Sequence, residues 1–149
     1  MGDGFGFALK QDGSLWTWGR NDQNQLGDGT LTERLFFVRI GSGQKWSAVA
    51  TKFDHTVALS VDGTYYSWGE NSDGELGLGF AGNDQLTPHQ VGTDTDWARL
   101  DLGDLDLFAI KNDGSLWSWG ANASGELGDG TKIQRYFPTR IGTATDWTT

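Results

Sequence analysis

The sequence predicts an all-β protein made of β-propeller blades with four antiparallel strands each, and three repeats in the chain. The first observation is a recurring aromatic hexamer, which reads SLWTWG at 14–19, TYYSWG at 64–69 and SLWSWG at 115–120. The second observation is an even spacing of about 50 residues, a period typical of repeat architectures. The third is that no long segment has the 3.6-residue apolar period of an amphipathic helix.

Each repeat opens with a predicted hairpin. In the first repeat two apolar-rich runs flank Asp12-Gly13, the residue pair that a tight two-residue turn prefers. Side chains alternate along a strand, so Trp16 and Trp18 share one face while Leu15 points to the other. A strand with apolar side chains on both faces has to be covered on both. The hairpin glycines expected at positive φ are Gly13, Gly63 and Gly114.

The second half of each repeat supplies two more strands. A stretch rich in Gly and Asn follows each hexamer, and its composition is that of turns. We expect a third strand after it, around Phe37–Ile40, Pro88–Val91 and Pro138–Ile141. We expect the fourth strand at the later tryptophan, over Trp46–Ala50 and Trp97–Asp101. Four short antiparallel strands in a unit of about 50 residues are the blade of a propeller.

The tryptophans are expected to form the structural core, because aromatic side chains fill the space between neighbouring blades. A platform for stacking carbohydrate is the alternative interpretation. The core tryptophans are Trp16, Trp18, Trp46, Trp68, Trp97, Trp117, Trp119 and Trp147.

We interpret residues 1–149 as one segment of a propeller with repeat units at about 1–46, 47–97 and 98–147. The units are permuted, so that the last tryptophan strand would continue into the N-terminal hairpin. Three blades do not close a ring, since propellers have about four to eight. An open arc would leave two large apolar faces in water.

The composition argues against several classes of function. The net charge is −9, which disfavours binding to nucleic acid and to anionic membranes. The chain has no Cys, and its two His do not recur between repeats. The expected calcium-loop Glu is missing from the Asn-rich stretches. We therefore predict no catalytic residues, no metal site, no cofactor and no enzymatic activity.

The repeats resemble those of the regulator of chromosome condensation type. The resemblance lies in ALKQDGSLWTWGRNDQNQLGDGT, ALSVDGTYYSWGENSDGELGLG and AIKNDGSLWSWGANASGELGDGT, and the spacers GTDTDW and GTATDW are most similar to bacterial members. It implies a propeller, typically of seven blades, but no single function. The eukaryotic founder of the family is a nucleotide-exchange factor that uses an inserted hairpin as a wedge. The repeats here differ in length by one residue only, and no exchange-factor residue has a matching position.

Three functional hypotheses follow. The first is a non-catalytic scaffold that presents variable loops to an unknown protein partner. The framework residues repeat, whereas the stretches TLTERLFF, FAGNDQLT and TKIQRYF differ between repeats. The second is a guanine-nucleotide exchange factor for a small GTPase, by resemblance. The third is a purely structural repeat, a fragment or a designed protein. An enzyme such as a lyase or glycosidase, which would need a carboxylate cluster in the channel of a propeller, ranks below these three.

The open arc also predicts a partner that completes the ring. Either two copies form a homodimer with six blades, or further repeats of a longer chain follow. In a homodimer the end of one copy would meet the start of the other. We expect the seam between the copies at Met1, Asp3, Phe5, Asp146, Trp147 and Thr149.

Overall fold

The structure is a computed structural model and describes residues 4–103 and 105–148. Every regular element in this part of the chain is a strand. It therefore contains no helix that is long and apolar enough to cross a membrane. The strands are β1 (Phe5–Leu9), β2 (Leu15–Gly19), β3 (Arg34–Ile40), β4 (Trp46–Lys52), β5 (His55–Ser60), β6 (Tyr65–Gly69), β7 (Gln85–Gln90), β8 (Trp97–Leu102), β9 (Asp106–Lys111), β10 (Leu116–Gly120) and β11 (Arg135–Arg140).

The strands form three antiparallel sheets, one for each blade. The first blade has the order β1-β2-β3, the second β4-β5-β6-β7 and the third β8-β9-β10-β11. Each tryptophan strand pairs with the hairpin that follows it, with Trp46 opposite Ser60 and Trp97 opposite Lys111. The blades are therefore all-β and antiparallel as predicted, and β1 has no such strand at its free edge among the described residues.

Each hairpin closes through a three-residue loop, whereas the sequence predicted a two-residue turn. In the first hairpin the Lys10 N–H donates to the Ser14 carbonyl (3.0 Å), which leaves residues 11–13 in the loop. The predicted turn needs positive φ at both central residues. Only the glycine has it here, and the Asp12 carboxylate accepts a hydrogen bond from the Ser14 N–H (2.9 Å) instead. The φ angles are 82° at Gly13, 82° at Gly63 and 77° at Gly114.

Two apolar clusters lie between the blades. Leu15, Ile40 and Trp46 pack against Ala58 and Trp68 at the junction of the first and second blades. At the junction of the second and third blades, the corresponding cluster is Val57, Leu59, Tyr65, Val91, Trp97, Leu107, Ala109 and Trp119. The core of the protein is thus inter-blade, and each blade depends on its neighbours for burial.

A tryptophan on the second hairpin strand fixes each blade to the preceding one. The Trp68 indole N–H donates to the Gln25 carbonyl (3.1 Å), and the Trp119 indole N–H donates to the Glu75 carbonyl (3.1 Å). Glycine is required beneath each ring: a Cβ at Gly27 would lie 2.5 Å from the Trp68 nitrogen. The same contact therefore recurs at both junctions.

Candidate protein-interaction surface

The variable stretches form loops at the outer rim of each blade. We define the rim loops as residues 30–33, 80–84 and 131–134, each directly before the outermost strand of its blade. Each rim loop carries one large exposed apolar side chain. Leu31 is 60% exposed, Phe80 is 40% exposed and Ile133 is 61% exposed. The three side chains occupy different positions of the loop, and together they form an exposed apolar surface suited to a protein partner.

A buried asparagine holds the base of each rim loop. In the third blade the Asn122 amide N–H₂ donates to the carbonyls of Thr131 (3.2 Å) and Ile133 (2.9 Å). Its carbonyl oxygen accepts from the Leu127 N–H (3.1 Å). Asn21 and Asn71 make the equivalent bonds in the other blades. From composition alone these asparagines were expected only in turns. Their recurrence two residues after each hexamer is the sequence feature that indicates their role in holding the loops.

In the first and third blades an ion pair also stabilises the rim loop. Arg34 binds Asp28, and Arg135 binds Asp129 (2.6 Å). The hydrogen bond from Thr131, followed by that from Arg135, lowers the pKa of the Asp129 carboxyl. The second blade has Leu78 and Gln85 at these positions. The scaffold is therefore rigid at the base of each loop, while the tip is free to differ.

The predicted core tryptophans fall into two groups. Trp46, Trp68, Trp97 and Trp119 are at most 3% exposed. Trp16, Trp18 and Trp117 are half-buried. Trp147 is 43% exposed, in contrast to the expectation that it belongs to the core. The reason is that Trp46 and Trp97 each pair with a hairpin that follows them in the same blade, whereas no described hairpin follows Trp147.

Two tryptophan rings enclose a lysine ammonium, an arrangement that the sequence did not predict. The Lys111 ammonium lies 4.7 Å from the ring centres of both Trp97 and Trp117. It also binds Asp94 (2.5 Å) and Asp96 (3.0 Å). Burial opposes the charge of Lys111, but these carboxylates outweigh it and raise its pKa. In the first blade Lys10 lies 4.6 Å from the Trp16 ring, so the same arrangement is half complete there.

The register of the complete blades suggests which residues an inter-chain seam would pair. Trp97 lies opposite Lys111 at one end of β9, and Leu102 lies opposite Leu107 at the other. The equivalent partner of Trp147 is Lys10, at the far end of β1 from Phe5, because antiparallel strands run in opposite directions. Phe5 itself is already buried, at 5% exposure. Met1, Asp3 and Thr149 lie outside the described residues.

Two buried titratable groups lie at the junctions of the blades. Burial, with a smaller contribution from Lys52, lowers the pKa of His55 to about 4. Burial raises the pKa of Glu75 to about 7, and the charges of Glu70 and Asp73 add to the shift. The described residues contain no group of three or more His, Asp or Glu that could hold a metal ion.

The chain is similar to curated proteins along most of its length. It is 33% identical over 138 residues to the ultraviolet-B receptor UVR8 of Arabidopsis thaliana, which covers 90% of this chain and 31% of the receptor. It is 34% identical over 144 residues to the mitochondrial RCC1 domain-containing protein RUG3 of the same organism, covering 90% and 32%. The chain therefore spans about a third of the length of these relatives.

Solved structures share the fold at lower identity. Human WBSCR16 superposes with a TM-score of 0.84 at 20% identity, over 95% of this chain and 36% of that protein. Yeast RCC1 (Prp20), in its complex with Kap60, superposes with a TM-score of 0.83 at 22% identity, over 96% and 36%. The profile of the regulator of chromosome condensation (RCC1) repeat matches residues 12–59, 62–103 and 113–148. The chain belongs to the RCC1 repeat family of β-propellers.

Proposed function

We propose that the protein is a non-catalytic scaffold that binds a protein partner through the tips of its rim loops. The observation that carries this proposal is the contrast within each loop. The backbone of each loop is held by a buried asparagine, whereas the side chains of Leu31, Phe80 and Ile133 are 60%, 40% and 61% exposed. A rigid framework with exposed apolar tips lowers the ordering entropy that binding has to overcome. Relatives with the same fold include a yeast RCC1 that was solved bound to Kap60.

The test compares rim-loop binding with a matched surface change. Proteins retained by the wild-type chain are identified, purified and measured singly against the triple variant Leu31→Ser, Phe80→Ser and Ile133→Ser. We expect at least about a tenfold loss of affinity, which corresponds to about 1.4 kcal/mol. Val61→Ser is the control, because Val61 is 63% exposed in a hairpin loop away from the rim. Equal affinity of the triple variant and the control for every purified partner would refute the rim loops as the binding surface.

Nucleotide exchange is the alternative function. The chain has three repeats of nearly equal length, without an insertion of the size of a hairpin wedge. We therefore expect no faster release of labelled guanine nucleotide from purified small GTPases when the protein is added. A dose-dependent acceleration of release would replace the scaffold proposal with the exchange-factor one.

We also propose that the chain associates with itself, with two copies forming six blades. Trp147 is exposed at one open face of the arc, and Leu35 and Phe36 of the first blade are exposed at the other. Light scattering at low micromolar concentration should give twice the chain mass of 16.3 kDa. A folded monomer at that concentration would assign the covering of these faces to further repeats of a longer chain.

A further inference from the structure

The two open faces of the arc carry complementary halves of one recurring contact. We define the leading face as Ala8, Trp18 and Leu35 of the first blade. We define the trailing face as Glu126, Gly128 and Trp147 of the third blade. Each residue has equivalents at the two internal junctions, where the same positions are in contact. The contacts at the internal junctions therefore indicate which residues each open face can bind.

The leading face exposes side chains whose equivalents in the other blades are buried or less exposed. Ala8 is exposed, whereas its equivalents Ala58 and Ala109 are 0% and 1% exposed. Trp18 is half-buried and lies edge-on to Phe37 (4.7 Å between ring centres), whereas Trp68 and Trp119 are fully buried against the preceding blade. Leu35 is 81% exposed and Phe36 is 84% exposed. Each of these side chains faces the position of a preceding blade.

The trailing face has an unfilled position for such a tryptophan. At the internal junctions a Cβ on Gly27 or Gly77 would lie 2.5 or 2.6 Å from an indole nitrogen of the next blade. A Cβ on Gly128, their equivalent, has no described atom within 4 Å. The Glu126 carbonyl is equivalent to those of Gln25 and Glu75, which accept the indole hydrogen bonds of Trp68 and Trp119. Gly128 and Glu126 together thus form a slot for an indole ring.

An apolar groove of about 340 Å³ lies beside this slot. Its walls include Phe108, Ile110, Leu116 and Trp147. The first three are equivalent to Val57, Leu59 and Tyr65, which pack on the next blade in the second inter-blade cluster. The groove is therefore the position in which the next blade would place its hairpin.

The backbone and the charges of the two faces also match. Gly29 N–H donates to the Leu86 carbonyl (2.8 Å), and Gly79 N–H donates to the Tyr136 carbonyl (2.7 Å). By position, the third pair in this series would be the Gly130 N–H with the Leu35 carbonyl of another blade. Asp146 and Trp147 correspond to Asp96 and Trp97, which enclose Lys111. They would complete the half-formed arrangement of Lys10 on Trp16.

We propose that the trailing face of one copy binds the leading face of a second copy, head to tail, and that Trp18 occupies the slot at Gly128. This proposal rests on the proposed self-association and names its contacts. Because both faces are on the same chain, two such contacts close a pair of copies. The Trp18 indole donates to the Glu126 carbonyl, Ala8 packs against Trp147, and Lys10 binds Asp146.

Two substitutions block one face each without disturbing a packed position. Ala8→Arg adds a long charged side chain to the leading face at an exposed residue. Gly128→Asn fills the slot of the trailing face with a residue that tolerates its φ of 68°, as Asn24 does at 63°. The controls are Ala48→Arg, at an exposed residue of β4, and Gly92→Asn, at a φ of 65° with no described atom within 4 Å of its Cβ.

The experiment measures mass by analytical ultracentrifugation for each variant alone and for an equimolar mixture of Ala8→Arg and Gly128→Asn. We expect each blocking variant to raise the dissociation constant at least about tenfold, a loss of about 1.4 kcal/mol, and both controls to assemble as wild type. The mixture should associate more tightly than either variant alone, because a mixed pair keeps one intact contact and both substitutions fall on the other.

The outcomes distinguish a failure of the assigned contacts from a failure of self-association, on which those contacts depend. A monomeric wild type would refute self-association itself. A dimeric wild type with equally dimeric blocking variants would refute only the assigned contacts. Blocking variants that are monomeric alone and fail to combine would refute the head-to-tail arrangement. Circular dichroism that matches wild type for both variants excludes unfolding as the cause.

Discussion

At the scale of single residues, the stability of the protein depends on the buried indoles. Trp68 is 0% exposed and donates to the Gln25 carbonyl over Gly27. We expect Trp68→Ala to lower the free energy of unfolding by about 3–5 kcal/mol, the usual effect of deleting a large core aromatic residue. Val61→Ala is the control, since Val61 is 63% exposed. Equal urea midpoints for the two variants would contradict the inter-blade role of Trp68.

A second prediction at this scale concerns Glu75. Its folded pKa is raised to about 7, so its contribution to stability is present below the unfolded pKa of 4.5 and is lost as pH rises through 7. Glu75→Gln, which copies Gln25 of the first blade, should therefore stabilise the protein at pH 8 and have little effect at pH 4. Glu33→Gln is the control, because Glu33 is an exposed glutamate that belongs to neither open face. A stabilisation by Glu75→Gln that is independent of pH between 4 and 8 would contradict the buried charge.

His55 produces the opposite dependence on pH. Its folded pKa is lowered to about 4, so stability is present above the unfolded pKa of 6.5 and is lost as pH falls through 4. The full loss is about 3 kcal/mol, at about 1.4 kcal/mol for each pKa unit. We expect His55→Phe, which copies Phe5 of the first blade, to reduce the fall in melting temperature between pH 7 and pH 4. An unchanged fall in melting temperature would show that protonation of His55 is not its cause.

These residue-scale properties differ in how far the sequence predicts them. The burial of Trp68 and Trp119 is predicted by alternation along a strand and by the repeat. The exposure of Trp147 is not, since it depends on which blade lies beside it. The enclosure of Lys111 combines two tryptophans from different strands with two carboxylates from a spacer, and no local pattern in the sequence signals that combination.

At the scale of elements, the hairpin glycines combine two requirements. Gly63 has a φ of 82°, and a Cβ on it would lie 2.2 Å from the Thr95 carbonyl oxygen of the following spacer. Gly82 has a φ of 83° but no described atom within 4 Å of a Cβ. Gly82→Ala should therefore lower stability by about 1–2 kcal/mol through backbone strain alone. Gly63→Ala should lower it further, and equal thermal melts for the two variants would contradict the clash.

The number and order of the strands follow from the sequence, but their ends do not. The third strands begin at Arg34, Gln85 and Arg135, three residues before the predicted starts. The early residues pair across an irregularity in the register next to Gly19, Gly69 and Gly120. The three-residue hairpin loop also differs from the prediction, because the Asp side chain bonds to the backbone and removes the need for positive φ at that residue.

At the scale of the whole molecule, the open arc is predictable from the count of repeats, whereas the place of its seam is not. The two ends of the sequence suggested Phe5 as part of the seam. If an incoming tryptophan strand followed the register of β8 with β9, it would pair from Lys10. Neighbouring strands set the direction and register of pairing, so the sequence of a single strand does not predict them.

The self-association that we propose makes thermal stability depend on protein concentration. Folding would be linked to dimer formation, since the leading and trailing faces are apolar and lose contact with water only in the assembly. Each tenfold rise in concentration then adds about 1.4 kcal/mol to the stability of the dimer. For a protein of this size, such a change raises the melting temperature by about 2–6 °C. Ala8→Arg should remove the dependence, because a chain with one blocked face unfolds as a monomer at every concentration. A wild-type melting temperature that is constant from 1 to about 100 μM would contradict the linkage, whatever mass the protein has at room temperature.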